Sequence, residues 1–271
     1  MNKFIYNLKK DIEDKRDYNF SKLVNKKEEI PSDADLRSGY AGVKDQGSLG
    51  ACTAFSACSV MEYILDKNMD LSELYFYYKE READGTVEKD SGSSIRQSAK
   101  TAKNKGSCKE IIYPYDIKKF SDIPPEKAEN DAENHRVKAY YRLGTIEEIM
   151  YTVGILSVPV LIRVNVYESF ENTGSDGYIK MPNINKEELL GYHAVNICGY
   201  FWNEDEKLPK ESWIQRIINI IFRKEKIEDK YRGLYFIIRN SWGDEFGDKG
   251  YMYAPAEFII RYSNDWWYLE A

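Results

Sequence analysis

From Ala51 onward, apolar residues recur at intervals of three and four: Ala51, Ala54, Phe55, Cys58, Met61 and Leu65. That period lays one buried stripe along a helix running to about Asp66. The spacing predicts two further helices, over Leu71 to about Lys79 and over Ser94 to Lys105. The second is followed by Gly106, a residue suited to the left-handed backbone that ends a helix. After Arg142 the pattern changes to β-branched and aromatic runs at Val158 to Val164, His193 to Tyr200, Leu234 to Arg239 and Gly250 to Tyr253, punctuated by Gly, Asn, Asp and Pro. A helix-rich front and a strand-rich back predict an α+β protein of two lobes, residues 31–140 and 141–271, that meet at an interface.

Two stretches stand outside this plan. Residues 1–30 are charged, with scattered apolar positions (Phe4, Ile5, Leu8, Ile12, Phe20, Leu23 and Val24), and Pro31 ends them. They read as a detachable arm. Residues 201–232 are charged around a short amphipathic segment, Trp213 to Phe222, and read as a surface insertion with its own helix.

Composition narrows the function. A formal charge of −6 lacks the excess of Lys and Arg that phosphate neutralisation needs, so nucleic acid is not the expected partner. No apolar run is long enough to span a bilayer, so no membrane partner is expected. The first residues alternate charges where a secretory signal would place an apolar core, which predicts a chain kept inside a cell or packaged from the cytoplasm. The four cysteines, Cys52, Cys58, Cys108 and Cys198, form no C-x-x-C pair and read as free thiols. With only His135 and His193 as histidines, far apart, neither a metal site nor a cofactor is expected.

Chemistry concentrates at three places. Cys52 falls in the first turn of the first predicted helix, just after Asp45-Gln46-Gly47-Ser48-Leu49-Gly50. There the unpaired N–H groups and the helix dipole favour an anion, which is expected to push the thiol toward thiolate. Cys58 on the apolar stripe and Cys198 in a strand read as packing residues. His193 enters a strand from a loop and is the candidate base, whereas His135 follows a polar run that reads as exposed surface. Asn240 precedes Ser241-Trp242-Gly243; a neutral amide can orient an imidazole, and Trp242 can shield that hydrogen bond from water.

Together these segments resemble the papain-like (cathepsin-type) cysteine peptidases. Gln46, Cys52 six residues on, His193 and then Asn240-Ser241-Trp242-Gly243 match that family's motifs in its chain order. Pro31 to Arg37 resembles the mature start of such enzymes, and Tyr113-Pro114-Tyr115-Asp116 matches a further landmark. The 141 residues from Cys52 to His193 fit the family's span. The 47 from His193 to Asn240 exceed the usual number, and the 201–232 insertion accounts for the excess.

Departures are equally specific. Leu49 stands where relatives usually carry a disulfide cysteine, Thr53 where Trp usually follows the nucleophile, and Phe246 where Trp is usual. Gly92-Ser93 stands in for a Gly-Gly step that pairs with the substrate backbone.

The resemblance implies a papain-like two-lobe fold, with an antiparallel, barrel-like back lobe and the site in the cleft between lobes. It implies a cysteine endopeptidase of peptide or protein substrates: Cys52 as nucleophile, His193 as acid and base, Asn240 orienting the ring and Gln46 helping to hold the oxyanion. Gly92, Ser93 and Trp242 would contact substrate. The arm would cover the cleft of a zymogen until cut near Ile30. No adjacent His pair of the kind carried by dipeptide-trimming relatives is present, which favours endopeptidase action. A lysosome-like location, common in such enzymes, sits poorly with the missing signal. Two other readings use the same residues: a different Cys-His acyl-transfer enzyme, and a non-catalytic member that binds peptides in its cleft.

Overall fold

A computed structural model describes residues 5–11, 14, 17–22, 28–206 and 230–271. The front lobe is built on helix α1 (Cys52–Leu65), whose residues from Cys52 to Glu62 are all buried. Helix α2 (Glu73–Asp84) starts at Ser72, whose hydroxyl accepts from the Tyr75 N–H, and stops at Gly85, where φ is 66°. Ser94 caps α3 (Ile95–Asn104) in the same way, and Gly106 (φ 70°) then donates its N–H to the Thr101 carbonyl at 2.9 Å. A short α4 (Glu126–Ala132) completes this side.

The back lobe is an antiparallel sheet. Its strands are β1 (Ala34–Asp35), β2 (Ala139–Leu143), β3 (Val160–Tyr167), β4 (Leu189–Trp202), β5 (Leu234–Arg239), β6 (Tyr251–Pro255) and β7 (Ser263–Glu270). They run in the order β2-β7-β3-β4-β5-β6, with β1 paired to β4. Helices α5 (Ile146–Gly154), α6 (Glu168–Glu171) and α7 (Ala256–Tyr262) pack beside it. Side chains alternate between its faces. Leu161 and Ala194 join the front cluster with Ala54, Phe76 and Trp267, while Val160, Ile162 and Val195 join the back cluster with Phe236 and Phe258. One sheet therefore serves both cores and fixes how the lobes meet.

Four expectations need correction or extension. Helix α2 runs past Lys79 to Asp84 because Glu80 and Arg81, though charged, are fully buried and hydrogen-bonded. Strands β1, β2 and β7 and helices α4, α5, α6 and α7 do not follow from the pattern. His135 is buried (7% exposed), its Nδ1 3.1 Å from the Ser107 carbonyl, because Ala128 and Ala132 turn one face of α4 inward and carry the following residues with them. The predicted helix at Trp213 to Phe222 lies outside the described residues.

The arm is laid on the protein. Residues 5–11 run along the front of the cleft. Farther on, the Tyr18 carbonyl accepts from the Arg142 N–H at 2.9 Å, Phe20 is fully buried against Tyr151 and Tyr268, and Glu28 accepts from the Tyr151 hydroxyl at 2.8 Å. Ile30 packs on the same core, and Tyr200 donates to the Pro31 carbonyl at 3.0 Å.

Candidate active site

Cys52 is the first residue of α1. His193 sits in the buried stretch of β4, and Asn240 follows the last residue of β5. Because β4 and β5 pair with Asn196 opposite Arg239, His193 and Asn240 lie at the same end of the hairpin. His193 Nε2 is 2.8 Å from Asn240 Oδ1, so Nε2 donates to the amide oxygen. The other ring nitrogen, Nδ1, is buried without a hydrogen-bond partner. Trp242 stacks on the imidazole, with centroids 4.8 Å apart and planes 26° apart, and Phe246 meets Trp242 edge-on at 4.7 Å. The amide and the indole thus fix the ring and screen its hydrogen bond from water.

The Cys52 thiol lies beside the backbone of Ala194, the residue after His193, and that of Thr53, and both partly offset the effect of burial on it. One turn along α1, the Ser56 hydroxyl meets the Val195 carbonyl at 3.2 Å and the Asn196 side chain, locking helix to strand. Thiol and imidazole, distant in sequence, are brought to one place between the lobes. Gln46 is also there and buried. Its Oε1 accepts from the Ser241 hydroxyl at 2.7 Å and its N–H bonds to the Ser241 carbonyl at 3.0 Å. One N–H of its amide goes to the Leu49 carbonyl at 2.9 Å, which leaves the second for a ligand.

Ionisation departs from the sequence-based expectation. Burial pushes the Cys52 thiol up to about 12, with smaller contributions from the carboxyls of Glu80 and Asp90, and pushes His193 down to about 4 against its bond to Asn240. Position at a helix start favours thiolate, whereas burial acts the other way and disfavours the charged form of both groups. Next to Cys52, Thr53 donates to Glu80 at 2.7 Å, and Ser98 donates to the other oxygen of that fully buried carboxyl.

The arm passes over the loops beside Cys52 and His193. Lys9 donates its N–H to the Ser93 carbonyl at 2.8 Å, and Asn7 forms a parallel bridge with Tyr192. A Cβ on Gly92 would lie 2.3 Å from the Asn7 carbonyl, and one on Gly50 2.3 Å from the Asn7 amide, so both glycines are needed for the chain to come this close. Leu8 is 3% exposed and packs into the front cluster. Tyr6 meets Trp242 edge-on at 6.2 Å and donates to Glu171. Gly92, Ser93 and Trp242 therefore all touch an extended peptide segment. Beyond it, Asp11 accepts from the Arg96 N–H and Trp267 Nε1 at 3.0 and 2.9 Å, and the Arg96 guanidinium pairs with Asp14 and Asp17. Cys58, Cys108 and Cys198 are buried free thiols away from this cluster.

Sequence reasoning missed Asp90, Tyr77 and Glu171, all in contact with the arm or with the glycines beneath it. The one available signal was Asp90 standing two residues ahead of Gly92, since an acid beside a close-approach glycine suits a turn that binds backbone N–H groups. Among the described residues, no group of three His, Cys, Asp or Glu side chains is placed to hold a metal, and no helix is long and apolar enough to cross a membrane.

Comparison with known proteins agrees with this arrangement. The sequence model described as papain family cysteine protease matches residues 30–258. An uncharacterized peptidase C1-like protein of Acanthamoeba polyphaga mimivirus is 28% identical over 244 residues, covering 83% of this chain and 68% of its own. Cysteine proteinase 2 of Dictyostelium discoideum is 27% identical over 241 residues, and the match spans 82% of this chain and 62% of that one. Among solved structures, xylellain, a cysteine protease from Xylella fastidiosa, superposes with a TM-score of 0.77 at 26% identity, covering 99% of this chain and 95% of that chain. Digestive procathepsin L 3 of Tenebrio molitor shares the fold at a TM-score of 0.65 and 19% identity, over 92% of this chain and 72% of that one.

Proposed function

Because the chain belongs to the papain family of cysteine proteases, we propose that it is an endopeptidase working through Cys52 and His193, and that its own arm occupies the cleft as an inhibitory segment. The observation that carries the reading is the packing of the first turns of α1, which begins at Cys52, against the strand that holds His193 on Asn240.

Once the arm leaves, water reaches the pair and the burial that keeps both groups neutral is relieved. The Cys52 proton then passes to His193, and the thiolate attacks a substrate carbonyl. The remaining Gln46 amide N–H and the Cys52 backbone N–H receive the oxyanion; each donor of such a pair is worth about 3–4 kcal/mol. His193 protonates the leaving amine, then takes a proton from the water that cleaves the thioester. Asn240 keeps the ring in one orientation through both steps. His135, turned onto the Ser107 carbonyl, offers no clamp for a substrate's terminal carboxylate, in keeping with endopeptidase action.

The arm's direction supports its inhibitory role. The leaving group must lie on the His193 and Trp242 side, so a substrate runs from Ser93 toward Trp242. The arm runs the opposite way, from Tyr6 at Trp242 to Lys9 at Ser93. A reversed backbone does not present its carbonyls for in-line attack, so it fills the cleft without being consumed.

Hydrolysis of a fluorogenic dipeptide coumarin amide, abolished by Cys52→Ala and by a thiol-directed epoxide, is the expected result. Tight peptide binding without turnover would instead favour a silent scaffold. Mass spectrometry of the incubated chain should show a cut near Ile30 in wild type and none in Cys52→Ala; an identical pattern in both would refute self-processing.

A further inference from the structure

Gly50, two residues before Cys52, donates its backbone N–H to both oxygens of Asp90, at 3.1 and 3.0 Å. The Tyr77 hydroxyl donates to the same carboxylate and accepts from the Gly92 N–H at 3.0 Å. Tyr77 is fully buried on α2, and the Arg81 guanidinium lies over its ring, 4.1 Å from the centroid. Arg81 in turn donates to the carbonyls of Val87 and Lys89, at 2.6 and 3.3 Å, and to that of Phe120. The loop leading to Gly92 is therefore held from beneath. No covalent bridge ties it to the nucleophile loop: Leu49 is not a cysteine, and all four cysteines are free.

We infer that Asp90, seated on Tyr77, is a positioning residue that sets the spacing between the nucleophile loop at Gly50 and the backbone-pairing edge at Gly92-Ser93. The inference rests on the peptidase reading and specifies how its cleft is aligned. Gly50 and Gly92 form the floor on which the Asn7 segment lies, and the Asn7 amide itself donates to the Asp90 carbonyl at 2.9 Å. A peptide gripped at Ser93 has its scissile carbonyl delivered to Cys52 only if these two loops keep their separation. Ionised acceptors make shorter and stronger bonds to N–H groups than neutral ones, which suits a carboxylate to this task. Displacement of a reacting group by about 1 Å can cost about a hundredfold in rate.

The test compares two substrates on the same full-length preparation: a peptide amide with several residues before the scissile bond, and a single-residue coumarin amide too short to reach Ser93. Their kcat/KM ratio cancels the fraction of molecules whose cleft is open, and any loss of folded protein. Asp90→Ala should lower that ratio about tenfold or more, chiefly through the long substrate. Asp90→Asn retains an acceptor for the Gly50 N–H and should restore most of the ratio. Tyr77→Phe, which removes the hydroxyl linking Asp90 to Gly92, should fall between them. An unchanged ratio in Asp90→Ala would overturn the inference, as would Asp90→Asn being as impaired as Asp90→Ala. Turnover of the short amide by wild type, and its loss in Cys52→Ala, is the separate check on the peptidase reading.

Discussion

The two halves of the arm are held by different physics. Residues 5–11 lie in a groove and are kept there mostly by polar contacts: main-chain bonds at Ser93 and Tyr192, side-chain bonds of Tyr6 to Glu171, Asn7 to Asp90 and Asp11 to Arg96 and Trp267, and a partly exposed Lys9–Asp84 pair at 2.8 Å, with Leu8 the one buried aliphatic side chain. Such contacts exchange readily with water, and an exposed ion pair is worth at most about 1 kcal/mol. Around Phe20 the chain instead contributes a fully buried ring to the core of the back lobe, beside Tyr151 and Tyr268. The first half rests on a groove, and the second is part of the fold; on the proposed function, a cut near Ile30 would leave the second docked while the cleft half could lift away.

The sharpest way to break this comparison is Phe20→Ala. Emptying a fully buried aromatic site costs about 3–5 kcal/mol, so the urea midpoint of the whole chain should drop clearly. A midpoint unchanged from wild type would mean that Phe20 is no more integral than the cleft half. Leu8→Ala should do the reverse: remove about 2–3 kcal/mol from arm docking alone, raise coumarin amide turnover by the uncut chain tenfold or more, and leave the urea midpoint nearly unmoved. Rates equal to wild type would show that the cleft half does not limit access.

Acidity gives a third, smaller handle. Burial holds His193 near 4, against an ordinary 6.5, so if the arm contributes to that burial, a form with the arm lifted accepts a proton that the covered form refuses. As pH falls from 6.5 toward 4, the covered form loses stability relative to the open one, and labelling of Cys52 by a thiol-directed epoxide should gain an acid-promoted component. Asp11 works in the opposite sense. Burial raises its carboxyl, so the docked arm takes up a proton there as pH falls, and acidification tightens docking through this residue. Asp11→Asn should therefore make acid opening steeper; a shallower profile would reverse the assigned sign.

Much of the site was legible because its chemistry depends on residue types at fixed order. Gln46, Cys52, His193 and Asn240 stand in motifs whose neighbours, Gly50 and Trp242, have physical reasons to be there, and the structure brings all four together. What escaped was governed by partners distant in sequence. Charge ends the apparent periodicity of α2 at Lys79, yet Glu80 is buried under the hydroxyls of Thr53 and Ser98, and Arg81 under loop carbonyls. Strand β7 hides its alternation because Asp265, at φ 56°, is held there by Arg142 and Arg163 at 3.0 and 2.8 Å, and Trp267 turns into the other lobe's core. The burial of the thiol was out of reach for a related reason: a helix start can be read locally, whereas depth of burial depends on what packs over it from elsewhere in the chain.

The hairpin of β4 and β5 has a further use. His193 and Asn240 belong to one end of it, whereas Trp202 and Leu234 pair at the other end. Backbone pairs from Asn196 with Arg239 to Trp202 with Leu234 stand between the two ends. Chain length at that far tip is therefore uncoupled from the imidazole–amide spacing. This makes it a natural port for grafting a fluorophore tag or a recognition module away from His193 and Asn240.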